Sequence, residues 1–144
     1  MIAAVQSADL PLGSAVTPNL DQFQALAAAP AEGPVVMLNL LKFKPGGEES
    51  YLRYGDTAMR MVEDRGGRLL WSGRAEQVLI GDPAADWDVV LLVEYPSRAA
   101  FIEMVSSPAY LEAHADREAG LERTVVVACS PGALAPRGPG EPDA

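Results

Sequence analysis

Two residue types that carry much of protein chemistry are almost missing from this chain: Cys129 is its sole cysteine and His114 its sole histidine. One cysteine closes no disulfide within the chain and builds no thiolate metal cluster, which fits a reducing, cytoplasmic setting. One histidine means that any imidazole acid–base chemistry passes through His114. Basic residues are scarce as well, 11 Lys and Arg against 20 Asp and Glu, for a formal net charge of -9. Nucleic acids and anionic membranes need clustered cations, so neither is expected as a partner. No Lys or Arg precedes Lys42, so the N-terminus lacks the positive region of a secretory signal. No apolar run approaches the roughly 20 residues that span a bilayer. Catalytic motifs are missing too. GGEES lacks the lysine of a phosphate loop, GDPAAD lacks the spacing of a calcium loop, and no G-x-S-x-G surrounds Ser97. Neither a metal nor a cofactor is therefore expected.

What is present is enough for one packed domain: 144 residues, 49% of them hydrophobic. The chain divides into an N-terminal extension (1–33), a folded domain (34–131) and a Pro- and Gly-rich tail (132–144). In the extension, TPNLDQFQALAAAP reads as a short helix with Thr17 as N-cap and Pro18 at its first position. In the domain, VVMLNLLKF is nearly all apolar, the pattern of a strand buried on both faces. A helix follows from Glu48, with Tyr51, Tyr54, Ala58, Met61 and Arg65 three or four apart, and Gly66 and Gly67 end it. RLLWSGRAEQVLIG and WDVVLLVEY read as a hairpin, and ERTVVVACS as a last strand. Between them, Ser97 is placed to cap one helix and Ser107-Pro108 to stop it and start a second.

The resulting βαββαβ order predicts a ferredoxin-like α+β fold: a four-stranded antiparallel sheet with helices on one face and an extra N-terminal helix. The first, third and fourth strands are apolar on both faces, while the chain has helices for only one. A second copy of the same sheet is the simplest cover, so a homodimer is expected.

MLNLLKF, the Gly66-Gly67 pair, Trp87-Asp88, EYPS and F-x-x-M-x-x-S-x-x-Y from Phe101 to Tyr110 together resemble the domain of unknown function family numbered 1330, over roughly residues 34 to 130. Members of that family are similar to the dimeric α+β barrel superfamily. The resemblance implies a dimeric barrel with a ligand site between sheet and helices. Relatives in the superfamily include cofactor-independent monooxygenases, muconolactone-type isomerases, haem enzymes and proteins without known activity, so the fold does not choose a reaction.

Tyr110, His114 and Arg117 stand at i, i+4 and i+7 and share one helix face, beside a stripe of Leu111 and Ala115 expected to face the core. The trio is then either a solvated face, with Arg117 paired to Asp116 or Glu118, or the edge of a pocket for a carboxylate or enolate. Asn39 interrupts an apolar strand, as a structural amide or a ligand-binding one, aimed at the helices or at a partner sheet. Tyr51 and Tyr54 would reach the site between sheet and helices, Tyr54 as an acid or as a core residue with a satisfied hydroxyl. His114 is the expected proton-transfer group, because its unperturbed pKa lies nearest neutral. The functional expectation is a small-molecule-binding dimer, related in chemistry to the monooxygenases and isomerases, or else a non-catalytic binding or stress-response module. Trp71 and Trp87 are read as core or dimer contacts, Cys129 as a small buried hydrophobe and Lys42 as a snorkelling side chain.

Overall fold

The computed structural model describes residues 14–29 and 32–132, so the tail from 133 onward and the first 13 residues lie outside the described residues. Helix α1 spans Leu20–Ala28. Its cap is Asn19 rather than Thr17. The Asn19 side chain accepts from the Gln22 amide at 2.8 Å, and the Gln22 side chain accepts in return from the Asn19 amide at 3.3 Å. This reciprocal box satisfies two orphan donors, which a lone Thr17 two residues earlier cannot do. Thr17 instead closes a small turn, its Oγ1 accepting from the Ser14 amide at 2.9 Å.

Four strands form one antiparallel sheet in the order β2-β3-β1-β4, with β1 at Val35–Phe43, β2 at Arg68–Arg74, β3 at Val89–Tyr95 and β4 at Leu121–Cys129. With helices packed on one side of it, the fold is the expected ferredoxin-like α+β arrangement. The second strand is shorter than its sequence pattern. Its regular pairing ends with Arg74 opposite Val89, the first residue of β3, and one further bond of 2.9 Å from the Ala75 amide to the Asp88 carbonyl closes the ladder. The loop 75–88 that follows leaves Leu79 and Ile80 84% and 90% exposed. Lys42 does more than snorkel: it ties the end of this loop to the sheet, with Nζ 2.8 Å from Asp86 and 3.6 Å from Asp88. Arg123 adds a bond of 3.0 Å to Asp86 and lies 4.3 Å over the ring of Trp87.

Three more helices, α2 (Glu48–Asp64), α3 (Arg98–Val105) and α4 (Pro108–Gly120), follow the sequence reading closely. Ser97 accepts from the Ala100 amide at 3.0 Å and Ser107 from the Tyr110 amide at 3.3 Å, so both serines are caps. Gly66 ends α2 at φ +84°, a conformation that costs a side-chain-bearing residue dearly. Where α2 starts, Gly47 lies directly against the backbone of Gly120, and a Cβ on either would strike the other's carbonyl. That close approach brings the first turns of α2 against the last turns of α4.

Odd-numbered residues of β1 face the helices, and Val35, Met37 and Leu41 are buried there with Val93 and Tyr95 of β3. Phe23 of α1 joins this core at 2% exposure. Val16 joins a second cluster with Leu41, Tyr51 and Leu121. The opposite sheet face carries Leu38, Leu40, Val90, Leu92, Val125 and Val127, and nothing within the described residues covers it. Trp71 stands on that face at 55% exposure, and Cys129 is half-buried rather than buried, because β4 is an edge strand.

Candidate functional site

Helix α4 is rotated by about half a face from the sequence reading. Ala115 is exposed and Leu111 only half-buried, while Tyr110, His114 and Arg117 point inward at 5%, 3% and 9% exposure. The reason is that α4 packs mainly against α2, and α2 offers aromatic rings rather than aliphatic surface. Tyr51 and Tyr54 project from α2 into the same space, their ring centroids 5.3 Å apart. The Tyr54 and Tyr110 hydroxyls share a hydrogen bond of 2.9 Å across the helix pair, with the two rings edge to face. The solvated-face reading therefore fails: Asp116 pairs with Arg53 at 3.4 Å, and Glu118 pairs with His114.

Arg117 is the centre of the group. Its guanidinium donates to the main-chain carbonyl of Val16 and sits 5.9 Å from the Tyr54 ring centroid. No carboxylate within the described residues pairs with it. Burial works against its charge, but ionisation of Tyr54, Tyr110, Tyr51 and Tyr95 at high pH would more than offset this, so its pKa lies above the ordinary arginine value and the group is charged at neutral pH. Burial likewise raises Tyr51, Tyr95 and, most of all, Tyr110, against a smaller opposing pull from Arg117. At neutral pH these phenols are hydrogen-bond donors, not bases.

His114 lies 5.9 Å from the Tyr110 ring, and its Nδ1 is 3.0 Å from a Glu118 carboxylate oxygen. Burial, and then the Arg117 charge, lower its pKa, while Glu118 opposes them. The imidazole is thus held neutral near pH 7, its tautomer set by Glu118. Asn39 lies on the helix-facing row of β1, half-buried between Met37 and Leu41 where the two core clusters meet. Its amide donates to the Met37 carbonyl at 3.0 Å, a structural bond that leaves its carbonyl oxygen without a described partner. Beside it Val126, on the same row of β4, is 42% exposed, so the helix layer leaves the β4 border uncovered.

The structure thus brings five of the six sequence candidates, the buried Tyr51, Tyr110, His114 and Arg117 and the half-buried Tyr54, into one group, with Asn39 on the sheet floor. Sequence reasoning missed the Val16 carbonyl, Glu118 as the partner of His114, and Tyr95. The i, i+4 spacing of His114 and Glu118 was a usable signal. A main-chain contact spanning 101 residues had none. An open cleft of about 430 Å³ lies elsewhere, at the end of β1, lined by Lys42, Lys44 and Arg74 but equally by Glu48, Asp88 and Glu122. Its charges cancel and it takes in none of the candidates. Among the described residues no group of His, Cys, Asp and Glu is placed to hold a metal, and no helix is long and apolar enough to cross a membrane.

The chain is similar to RPA0582, a protein of unknown function from Rhodopseudomonas palustris, at 36% identity over 86% of this chain and 100% of that one, with a TM-score of 0.78. A methylated form of RPA0582 gives 34% identity over 90% and 100%, with a TM-score of 0.75. Fold similarity alone extends to At3g17210 from Arabidopsis thaliana, 18% identical over 70% of this chain and 98% of that one with a TM-score of 0.53. It also reaches a NIPSNAP family protein of unknown function from Agrobacterium tumefaciens, 18% identical over 73% and 94% with a TM-score of 0.52. No curated protein matches. The family model described as "Domain of unknown function (DUF1330)" matches residues 40–130, more than half the chain, and the protein belongs to that family.

Proposed function

We propose that the protein is a homodimer, each subunit of which binds a small organic anion between sheet and helices, with Arg117 as the anion's counter-charge. One observation carries this reading: a buried guanidinium that keeps its charge while no carboxylate within the described residues neutralises it. A buried charge without a partner is costly, and an acidic chain that retains one favours a ligand that supplies the missing sign. Tyr54 and Tyr110 add phenolic donors beside it, Asn39 an amide oxygen without a partner among the described residues, and Tyr51 an aromatic wall. His114, neutral and oriented by Glu118, is the group suited to accept a proton from a bound acid or enol. This is chemistry a cofactor-independent monooxygenase or isomerase would use. The dimer rests on the uncovered sheet face, whose Leu38, Leu40, Leu92, Val125 and Val127 form the kind of continuous apolar patch a monomer seldom leaves to water.

The experiment is a thermal-shift comparison of benzoate with benzamide on the wild type and on Arg117→Gln. Benzoate should stabilise the wild type more than benzamide does, and Arg117→Gln should erase the difference. Equal responses to acid and amide, or an acid response that survives the substitution, would sink the anion role. A second reading has its own support: among the described residues every buried side-chain polar atom already has a hydrogen-bond partner, as in a filled core. If no organic acid shifts the wild type while light scattering still gives twice the 15.2 kDa chain mass, a non-catalytic dimer module is the better description.

A further inference from the structure

Building on the anion-binding reading, we propose that the turn Ser14–Thr17 is a displaceable cover over the site, and that its Val16 carbonyl holds the place on Arg117 which a ligand carboxylate takes on binding. The turn is self-contained: the Ser14 and Thr17 hydroxyls lie 2.9 Å apart, and the Thr17 amide donates to the Ser14 carbonyl at 3.4 Å. Among the described residues three contacts hold it to the domain. Arg117 donates to Val16, the Thr124 amide on the outer edge of β4 donates to the Ala15 carbonyl at 3.2 Å, and the Val16 side chain packs on Leu41, Tyr51 and Leu121.

The next residues are anchored independently. Asn19 and Gln22 close their capping box, and Phe23 is buried in the other core cluster. The chain can therefore swing at Pro18 without disturbing α1. What the turn offers Arg117 is a neutral carbonyl, whereas a carboxylate presents two charged oxygens in a geometry that matches the guanidinium fork, adding a second bond and the opposite charge. The exchange replaces the weaker partner with the stronger, hands the Thr124 and Ala15 backbone groups over to water and exposes one valine side chain. A closed cover also explains how an unneutralised guanidinium remains buried when no ligand is present.

The test uses the full chain, with benzoate as the probe. Its affinity is measured by calorimetry on the wild type, on Val16→Gly, which loosens the packed anchor, and on Ser14→Ala/Thr17→Ala, which loosens the exposed turn without touching the core. Because a competing closed state lowers apparent affinity by the fraction of molecules that are open, Val16→Gly should bind benzoate about fivefold to tenfold more tightly than the wild type. The double variant should shift the same way by less. Amide hydrogen exchange in residues 14–17 should speed up when benzoate is added, while the rest of the domain slows. Binding seen only in the loosened variants also supports the cover, in its most tightly closed form. If benzoate binds the wild type through Arg117 but neither variant gains affinity and exchange in 14–17 slows, the cover is wrong and the anion site stands. If benzoate binds none of the proteins, the anion reading fails and the cover falls with it.

Discussion

The two faces of the sheet are built from the same kind of residue and meet different fates. On the helix side Val35, Met37, Leu41 and Val93 are at most 6% exposed. On the other side Val125 and Val127 stand at 41% and 46%, and Trp71 at 55%. Alternation along a strand decides which residues share a face, but not what covers that face. The helix side is covered by the chain itself over β1 and β3, though not at the β4 border, where Val126 is 42% exposed. The bare side, equally apolar, is where the second subunit proposed above would dock.

Substitutions on each face sharpen this contrast. The largest effect is expected at Met37→Ala, which opens a cavity in a face sealed by α1, α3 and α4 and should cost about 2–5 kcal/mol in chemical denaturation, with no change in oligomeric mass. Leu40→Glu places a charge in the middle of the bare face. It should lower the mass measured by light scattering from twice 15.2 kDa toward a single chain while leaving helix content intact. A monomeric wild type, or a Leu40→Glu protein that stays dimeric, would break the comparison, since the two faces would then not differ in their partners.

Smaller effects come from the polar part of the helix side. Tyr110→Phe removes the 2.9 Å phenol pair with Tyr54 and should cost about 0.5–1.5 kcal/mol, an effect that Tyr54→Phe in the same protein does not add to in full. A loss much larger than this would mark the pair as part of a wider network. The smallest effect concerns pH. Burial and Arg117 hold the His114 pKa below its ordinary 6.5, so the unfolded chain binds more protons than the folded one as pH falls from that value. Stability from this group is fully present above about pH 6.5 and declines on acidification. His114→Gln should flatten the decline, as read from melting temperatures between pH 7 and 5. An unchanged slope would mean that Glu118 compensates the burial completely.

Much of the fold was legible in the sequence because local rules govern it. VVMLNLLKF, the Gly66-Gly67 stop and the two serine caps each act within a few residues, and each falls where its pattern predicts. The failures have equally local causes. Thr17 lost the cap to Asn19 because the box needs Gln22 three residues on, and the second strand ended early because its pairing with β3 runs out just past Arg74, where the loop 75–88 begins.

The candidate site was legible as a set but not as an arrangement. Spacing alone put Tyr110, His114 and Arg117 on one side of a helix, and one turn of helical geometry is enough to establish that. Whether that side met water or the interior depended on α2, whose tyrosines accept a polar neighbour that an aliphatic surface would have excluded. The sequence by itself determined the elements, their order and which residues share a face, since these follow from backbone period and turn chemistry. Only the tertiary structure decided that a guanidinium would be buried among phenols and closed over by a carbonyl 101 residues away, because a contact between distant segments leaves no period or spacing to read.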